Sequence, residues 1–287
     1  MPSMDVGGVG LYYEESGSGQ PVVFVHGIPT DYRAWAAQVG AFSKGRRMVA
    51  LSRRYAAPNP RKGDVSDSTV QNNASDLKGF LEGLGGGPVD LVGHSYGGFV
   101  SAYLAAQWPE LVRSLVLVEP AISTLLVADQ GSSAALLGLL LRSPSVALSG
   151  RRFQSASLKP SLEALDAGQL ERAVELNVDG VQDRKGSYAA LPEVTRKMML
   201  DNARTVAELR TEFPRFTAKE ASKIARPTLV VNGEESALWL RKIGELVGKA
   251  VPGARMEKVS GSRHFPHMEN PDEFNSKVLG FIEKWIA

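Results

Sequence analysis

A rhythm of short apolar runs, separated by helical patterns, constrains this chain more than any other feature. Residues 22–25, 48–51 and 115–118 are four-residue apolar runs with no charge inside them, and 89–92 is a fourth, interrupted only by Asp90. Such runs suit strands buried on both faces, as in a parallel sheet. Helical patterns cover 32–42, 68–84 (with Ser68 or Asp67 at its cap) and 99–107. Residues 11–13 read as a short edge strand ahead of the turn SGSGQ. Alternation of this kind predicts βαβ units and an α/β fold with a mostly parallel sheet.

The rhythm stops after Pro120. From 121 to 225 no buried-strand run occurs, and helical patterns fill 132–142, 161–177 and 192–211. Strand and helix then alternate again over 227–231, 237–250, 255–259 and 271–286. The expected organisation is a core domain of residues 1–120 and 226–287, interrupted by a helical insertion of residues 121–225. An insertion that long exceeds ordinary connections. Residues 136–141 are apolar almost all round and need cover, which a cap packed over a cleft supplies.

Between the run 89–92 and the helix after it stands Gly93-His94-Ser95-Tyr96-Gly97-Gly98. This is G-x-S-x-G in the strand-to-helix setting that gives the motif its meaning. Side chains at Gly93 and Gly97 would meet neighbouring strand and helix, and the following helix directs its positive end at Ser95. The run 22–25 leads into His26-Gly27-Ile28-Pro29. A glycine there lets backbone approach the serine, so the N–H groups of Ile28 and Tyr96 can bind a developing oxyanion. His26 reads as a brace for this loop. After the last strand comes Gly261-Ser262-Arg263-His264-Phe265-Pro266-His267, which offers His264, or by residue type alone His267, as the general base.

On these three segments the chain resembles the α/β-hydrolase superfamily over nearly its whole length. The resemblance implies a mostly parallel eight-stranded sheet flanked by helices, with a helical cap inserted after strand six. It also implies Ser95 as nucleophile, His264 as base, and the amides of Ile28 and Tyr96 as the oxyanion hole. The third triad member departs from the family pattern. Its acid usually follows strand seven, three residues beyond a glycine, and that place holds Ser236 after Gly233-Glu234-Glu235. A neutral hydroxyl cannot replace a carboxylate electrostatically. Some families of the fold, haloalkane dehalogenases among them, carry the acid after strand six, where Glu119 stands before Pro120. Glu119 is the expected acid and Glu235 the alternative. Ser236 and the two glutamates before it otherwise read as a helix start.

The dehalogenases, and related enzymes that open epoxides, use an aspartate nucleophile, whereas this elbow holds Ser95. A serine with an oxyanion hole suits a carbonyl. The expected activity is therefore a cofactor-free serine hydrolase acting on a small carboxylic ester or lactone through an acyl-enzyme. Alternatives are a C–C bond hydrolase of diketone-type substrates and a hydrolase-like ligand receptor with little turnover. Arg53 and Arg54 can anchor an acidic substrate or make a structural salt bridge near the site. In the insertion, Leu137, Leu140, Phe153 and Tyr188 are candidates for an apolar pocket.

Composition narrows the partners. A net charge of +2 provides no basic field for nucleic acid. With four histidines and no cysteine, neither disulfides nor a metal centre is expected. The opening MPSMDVGGVGLYY lacks a signal-peptide pattern, and no apolar run is long enough to span a bilayer. The expectation is a cytoplasmic enzyme with a small-molecule substrate bearing a carbonyl group.

Overall fold

The structure, a computed structural model, describes residues 2–60, 65–129 and 132–285. Eight strands form one sheet: β1 (Ser3–Val6), β2 (Val9–Gly17), β3 (Pro21–Val25), β4 (Arg47–Leu51), β5 (Val89–His94), β6 (Val112–Val118), β7 (Thr228–Gly233) and β8 (Arg255–Val259). Their order is β1-β2-β4-β3-β5-β6-β7-β8. β1 and β2 join antiparallel, and every pairing from β4 to β8 is parallel. The chain belongs in the fold class that its rhythm predicts. The short edge strand expected at 11–13 is instead the middle of β2, and β1 is the true edge. β1 escaped notice because Ser3-Met4-Asp5-Val6 is half-buried and has no continuous apolar run.

Both faces of the central strands are covered, so alternate residues enter opposite cores. Val23, Val25, Leu91, Leu115 and Leu117 pack beneath the helices Val70–Leu84 and Ser95–Gln107. Val22, Phe24, Val92, Val116 and Val118 pack against Trp35, Phe42 and the helix Pro271–Ile282. Cutting Phe24, Trp35 or Phe42 back to alanine costs about 3–5 kcal/mol.

Several local predictions shift on contact with the structure. Thr69, not Ser68 or Asp67, caps the helix Val70–Leu84, its hydroxyl accepting from the Asn72 N–H at 3.1 Å. The pattern 161–177 is two helices, Lys159–Asp166 and Leu170–Val181, broken at Gly168, whose φ of +72° no β-carbon tolerates well. The pattern 192–211 is an α-helix, Glu193–Asp201, followed by the 3-10 segment Ala203–Arg210. The helix Pro144–Phe153 has no sequence counterpart. Its proline sits at the first helical turn, where the missing N–H costs nothing.

Between β6 and β7 the described residues form only helices, turns and extended links. This stretch is tied to loops at the carboxyl ends of β3 and β4. Asn202 donates to Asp31 at 2.7 Å and accepts from the Ala57 N–H at 2.7 Å. Arg33 bridges Asp31 and Asp201.

Candidate active site

The sheet's connections reverse direction between β3 and β5, which lie side by side with Val25 opposite Gly93. A crevice opens at the carboxyl ends of such strands. Ser95 follows β5 there and is the first residue of the helix Ser95–Gln107. Its φ is +52°, the left-handed strain expected of a nucleophile elbow. The flanking glycines are required by space. A β-carbon on Gly97 would strike the carbonyl oxygens of Val25 and His26, and one on Gly93 would strike the Ser101 hydroxyl.

His264, in the loop after β8, places Nε2 3.0 Å from the Ser95 hydroxyl oxygen. Its Nδ1 lies 3.3 Å from Glu119 Oε2. Glu119 directly follows β6, with a φ of +47°, and is fully buried. Its other oxygen, Oε1, accepts three hydrogen bonds at 2.8 Å, from Asn232 Nδ2, the Gly233 N–H and the Ser236 hydroxyl. Those donors replace water around a carboxylate that would otherwise be costly to bury. With Nδ1–H directed at Glu119, Nε2 is left bare to accept the serine proton. Glu119, Ser95 and His264 are thus brought together.

Glu235 is not among them. Its half-exposed carboxylate pairs with Arg263 at 3.0 Å. Ser236 also differs from its reading as a helix start: Ala237 is the N-cap residue of Leu238–Ala250, and the Ser236 hydroxyl serves Glu119 instead. Glu234 accepts from the Gly261 N–H at 3.4 Å, and no acid stands in the first turn of Leu238–Ala250.

His267 makes no hydrogen bond to Ser95. Its ring packs against Trp35 at 4.4 Å, and neither nitrogen has a partner among the described residues. Burial, with His264 nearby, lowers its pKa to about 3, so it stays neutral. His26 braces its loop, with Nδ1 against the Gly27 carbonyl at 2.8 Å and Nε2 accepting from the Arg53 N–H at 2.9 Å. A β-carbon on Gly27 would come within 2.8 Å of Ser95 Cβ. The backbone that carries the Ile28 amide therefore lies directly against Ser95. The Tyr96 ring is buried and its hydroxyl donates to the Ser68 carbonyl at 2.8 Å.

Two positioning groups escaped the sequence. Gln182, at the end of the helix Leu170–Val181, accepts from the His264 N–H at 3.0 Å and donates to Glu269 at 2.9 Å. His94 donates from Nε2 to the His264 carbonyl at 2.8 Å. Its place inside the G-x-S-x-G motif was a signal; Gln182, 82 positions from its partner, carried none.

Arg54 makes a structural bridge, a two-toothed one to Asp76 at 2.7 Å for each contact. Phe153 stacks on Trp239 at 4.8 Å, and both line a cavity of about 310 Å³ that does not include Ser95. Leu137 and Leu140 are exposed, and Tyr188 is buried in a cluster with Val174 and Met199. None of these three lines that cavity. Among the described residues, no group of three or more His, Cys, Asp or Glu is arranged to hold a metal ion. No helix among them is long and apolar enough to cross a membrane.

A sequence model described as the alpha/beta hydrolase family matches residues 22–277. The chain is 24% identical over 299 residues to epoxide hydrolase 3 of Mus musculus, covering 100% of this chain and 77% of that protein. It superposes on a thermophilic esterase from Thermogutta terrifontis with a TM-score of 0.70 at 22% identity, over 99% of this chain and 97% of the other. The enol-lactonase of Burkholderia xenovorans LB400 gives 0.69 at 20% identity, over 98% and 100%.

Proposed function

The chain belongs to the alpha/beta hydrolase family, and from that premise we propose that it is a serine hydrolase cleaving a small carboxylic ester or lactone. The reading rests on one observation: Ser95, His264 and Glu119 form a single hydrogen-bonded line, at 3.0 and 3.3 Å. Ser95 Oγ attacks the carbonyl carbon while Nε2 of His264 takes its proton. The carbonyl oxygen, now anionic, turns to the amides of Ile28 and Tyr96. Glu119 stabilises the imidazolium and stays ionised. The imidazolium then protonates the leaving alkoxide, and the C–O bond breaks to give the acyl-enzyme. Water, deprotonated by the same nitrogen, attacks the acyl carbon, and Ser95 recovers its proton as the acid departs. No step requires a cofactor.

The esterase and enol-lactonase named above favour a carbonyl substrate. The likeness to an epoxide hydrolase favours a different electrophile, but an epoxide has no carbonyl oxygen for two amides to receive. Residues 1–120 and 226–287 act in this reading as the core domain, and 121–225 as a cap over its site. The test is a fluorophosphonate probe together with turnover of short p-nitrophenyl esters and aliphatic lactones. Labelling and turnover are expected for the native chain and lost in Ser95→Ala. Labelling that survives Ser95→Ala would sink the proposal.

A further inference from the structure

Arg54 already supplies the structural salt bridge of the loop after β4. Its neighbour Arg53 is buried too, and faces elsewhere. Its Nε donates to the His26 carbonyl at 3.0 Å, and its own N–H donates to His26 Nε2 at 2.9 Å. Its guanidinium carbon lies 4.7 Å from the centre of the Tyr96 ring. One cation thus touches Tyr96 and the residue two before Ile28, the pair whose amides form the oxyanion hole in the proposed mechanism. A second contact holds that cation. Arg53 Nη1 donates to Asn73 Oδ1 at 3.1 Å and to Glu208 Oε2 at 2.9 Å. Glu208 is fully buried and comes from the 3-10 segment Ala203–Arg210, at the far end of the insertion.

Stability is a poor explanation for this pair. Two buried charges lose their hydration, and the loss is recovered only when every polar atom finds a partner. Here Arg53 Nη2 has none among the described residues. We propose that Arg53 and Glu208 are positioning residues that fix the spacing of the two oxyanion amides, and so join the seating of the insertion to the reactivity of Ser95. This inference rests on the serine-hydrolase reading. Glu208 holds the guanidinium, the guanidinium holds the His26 carbonyl and the Tyr96 ring, and the amides of Ile28 and Tyr96 follow. A displacement of about 1 Å at such donors is worth roughly a hundredfold in rate.

The experiment compares Glu208→Ala, Glu208→Gln and the double variant Arg53→Met/Glu208→Leu in the full chain. The readouts are kcat and KM on p-nitrophenyl acetate, inhibition by a trifluoromethyl ketone whose adduct fills the oxyanion hole, and Tm. Glu208→Ala is expected to lower kcat about a hundredfold with KM within about threefold, and to weaken the ketone by the same factor as kcat. Glu208→Gln, which keeps an oxygen for Nη1, recovers most of both. The apolar double variant regains the native Tm without regaining kcat. Should kcat return together with Tm in the double variant, the pair is structural and the inference is wrong. That variant also decides the matter if Glu208→Ala fails to fold. Unchanged kcat in a folded Glu208→Ala refutes the inference alone. A native chain without Ser95-dependent turnover refutes the serine-hydrolase reading and this inference with it.

Discussion

Replacing Glu119 by glutamine isolates one charge and one proton. Oε1 receives three hydrogen bonds from donors, so only the amide oxygen of a glutamine can occupy that position. The amide nitrogen is then forced to the position of Oε2, 3.3 Å from His264 Nδ1. A donor there can meet only a bare Nδ1. The imidazole proton must move to Nε2, which then cannot accept from Ser95 at 3.0 Å. The expected loss in kcat is about 10³–10⁴-fold, or roughly 4–5.5 kcal/mol in the activation barrier. The three buried hydrogen bonds survive, so Tm should move by only a few degrees. Steady-state kcat on p-nitrophenyl acetate, normalised to folded protein by circular dichroism, measures the effect. Fluorophosphonate labelling should slow in parallel. Glu235→Gln is the control, since that carboxylate sits half-exposed beside Arg263, and its kcat should stay within about threefold. A loss below tenfold for Glu119→Gln, or a larger one for Glu235→Gln, would refute the reasoning.

Other outcomes follow from the same geometry. His26 and His94 are buried with pKa values well below the usual histidine range, first through desolvation, and His267 is lowered to about 3. The unfolded chain protonates all three below about pH 6.5 and the folded chain does not, so stability is full above that pH and falls as acid is added. Between pH 7.5 and 5.5 the loss should be about 4 kcal/mol, read from urea midpoints, and His267→Phe should reduce it by about a third; a flat profile would contradict the neutral burial. Ser236→Ala removes one of three donors to Glu119 and should cost about 1–2 kcal/mol of stability, with kcat lowered several-fold. Gly97→Ala drives a β-carbon into the carbonyls of Val25 and His26, and should yield insoluble or inactive protein; a soluble, fully active variant would show that the elbow is looser than described.

The proposed nucleophile and base are legible because each depends on neighbours in sequence. Gly93 and Gly97 flank Ser95 for steric reasons, and His264 follows the last strand of a recognisable alternation. Glu119 was legible only through a departure, a serine where an acid was due. Gln182, Asn232 and Glu208 left no trace, because a side chain that acts across 82, 113 or 155 positions imposes no periodicity on its own segment. β1 is hidden by its mixed burial.

Glu119 and Ser236 stand 117 positions apart, yet they meet within one hydrogen bond, because β6 and β7 are neighbours with Val118 opposite Val231. In the proposed triad the residues after β6 and after β7 therefore reach one place in space from two addresses in the chain. A search that looks for the carboxylate only after β7 would class this chain as a degenerate hydrolase, although its carboxylate sits one strand away.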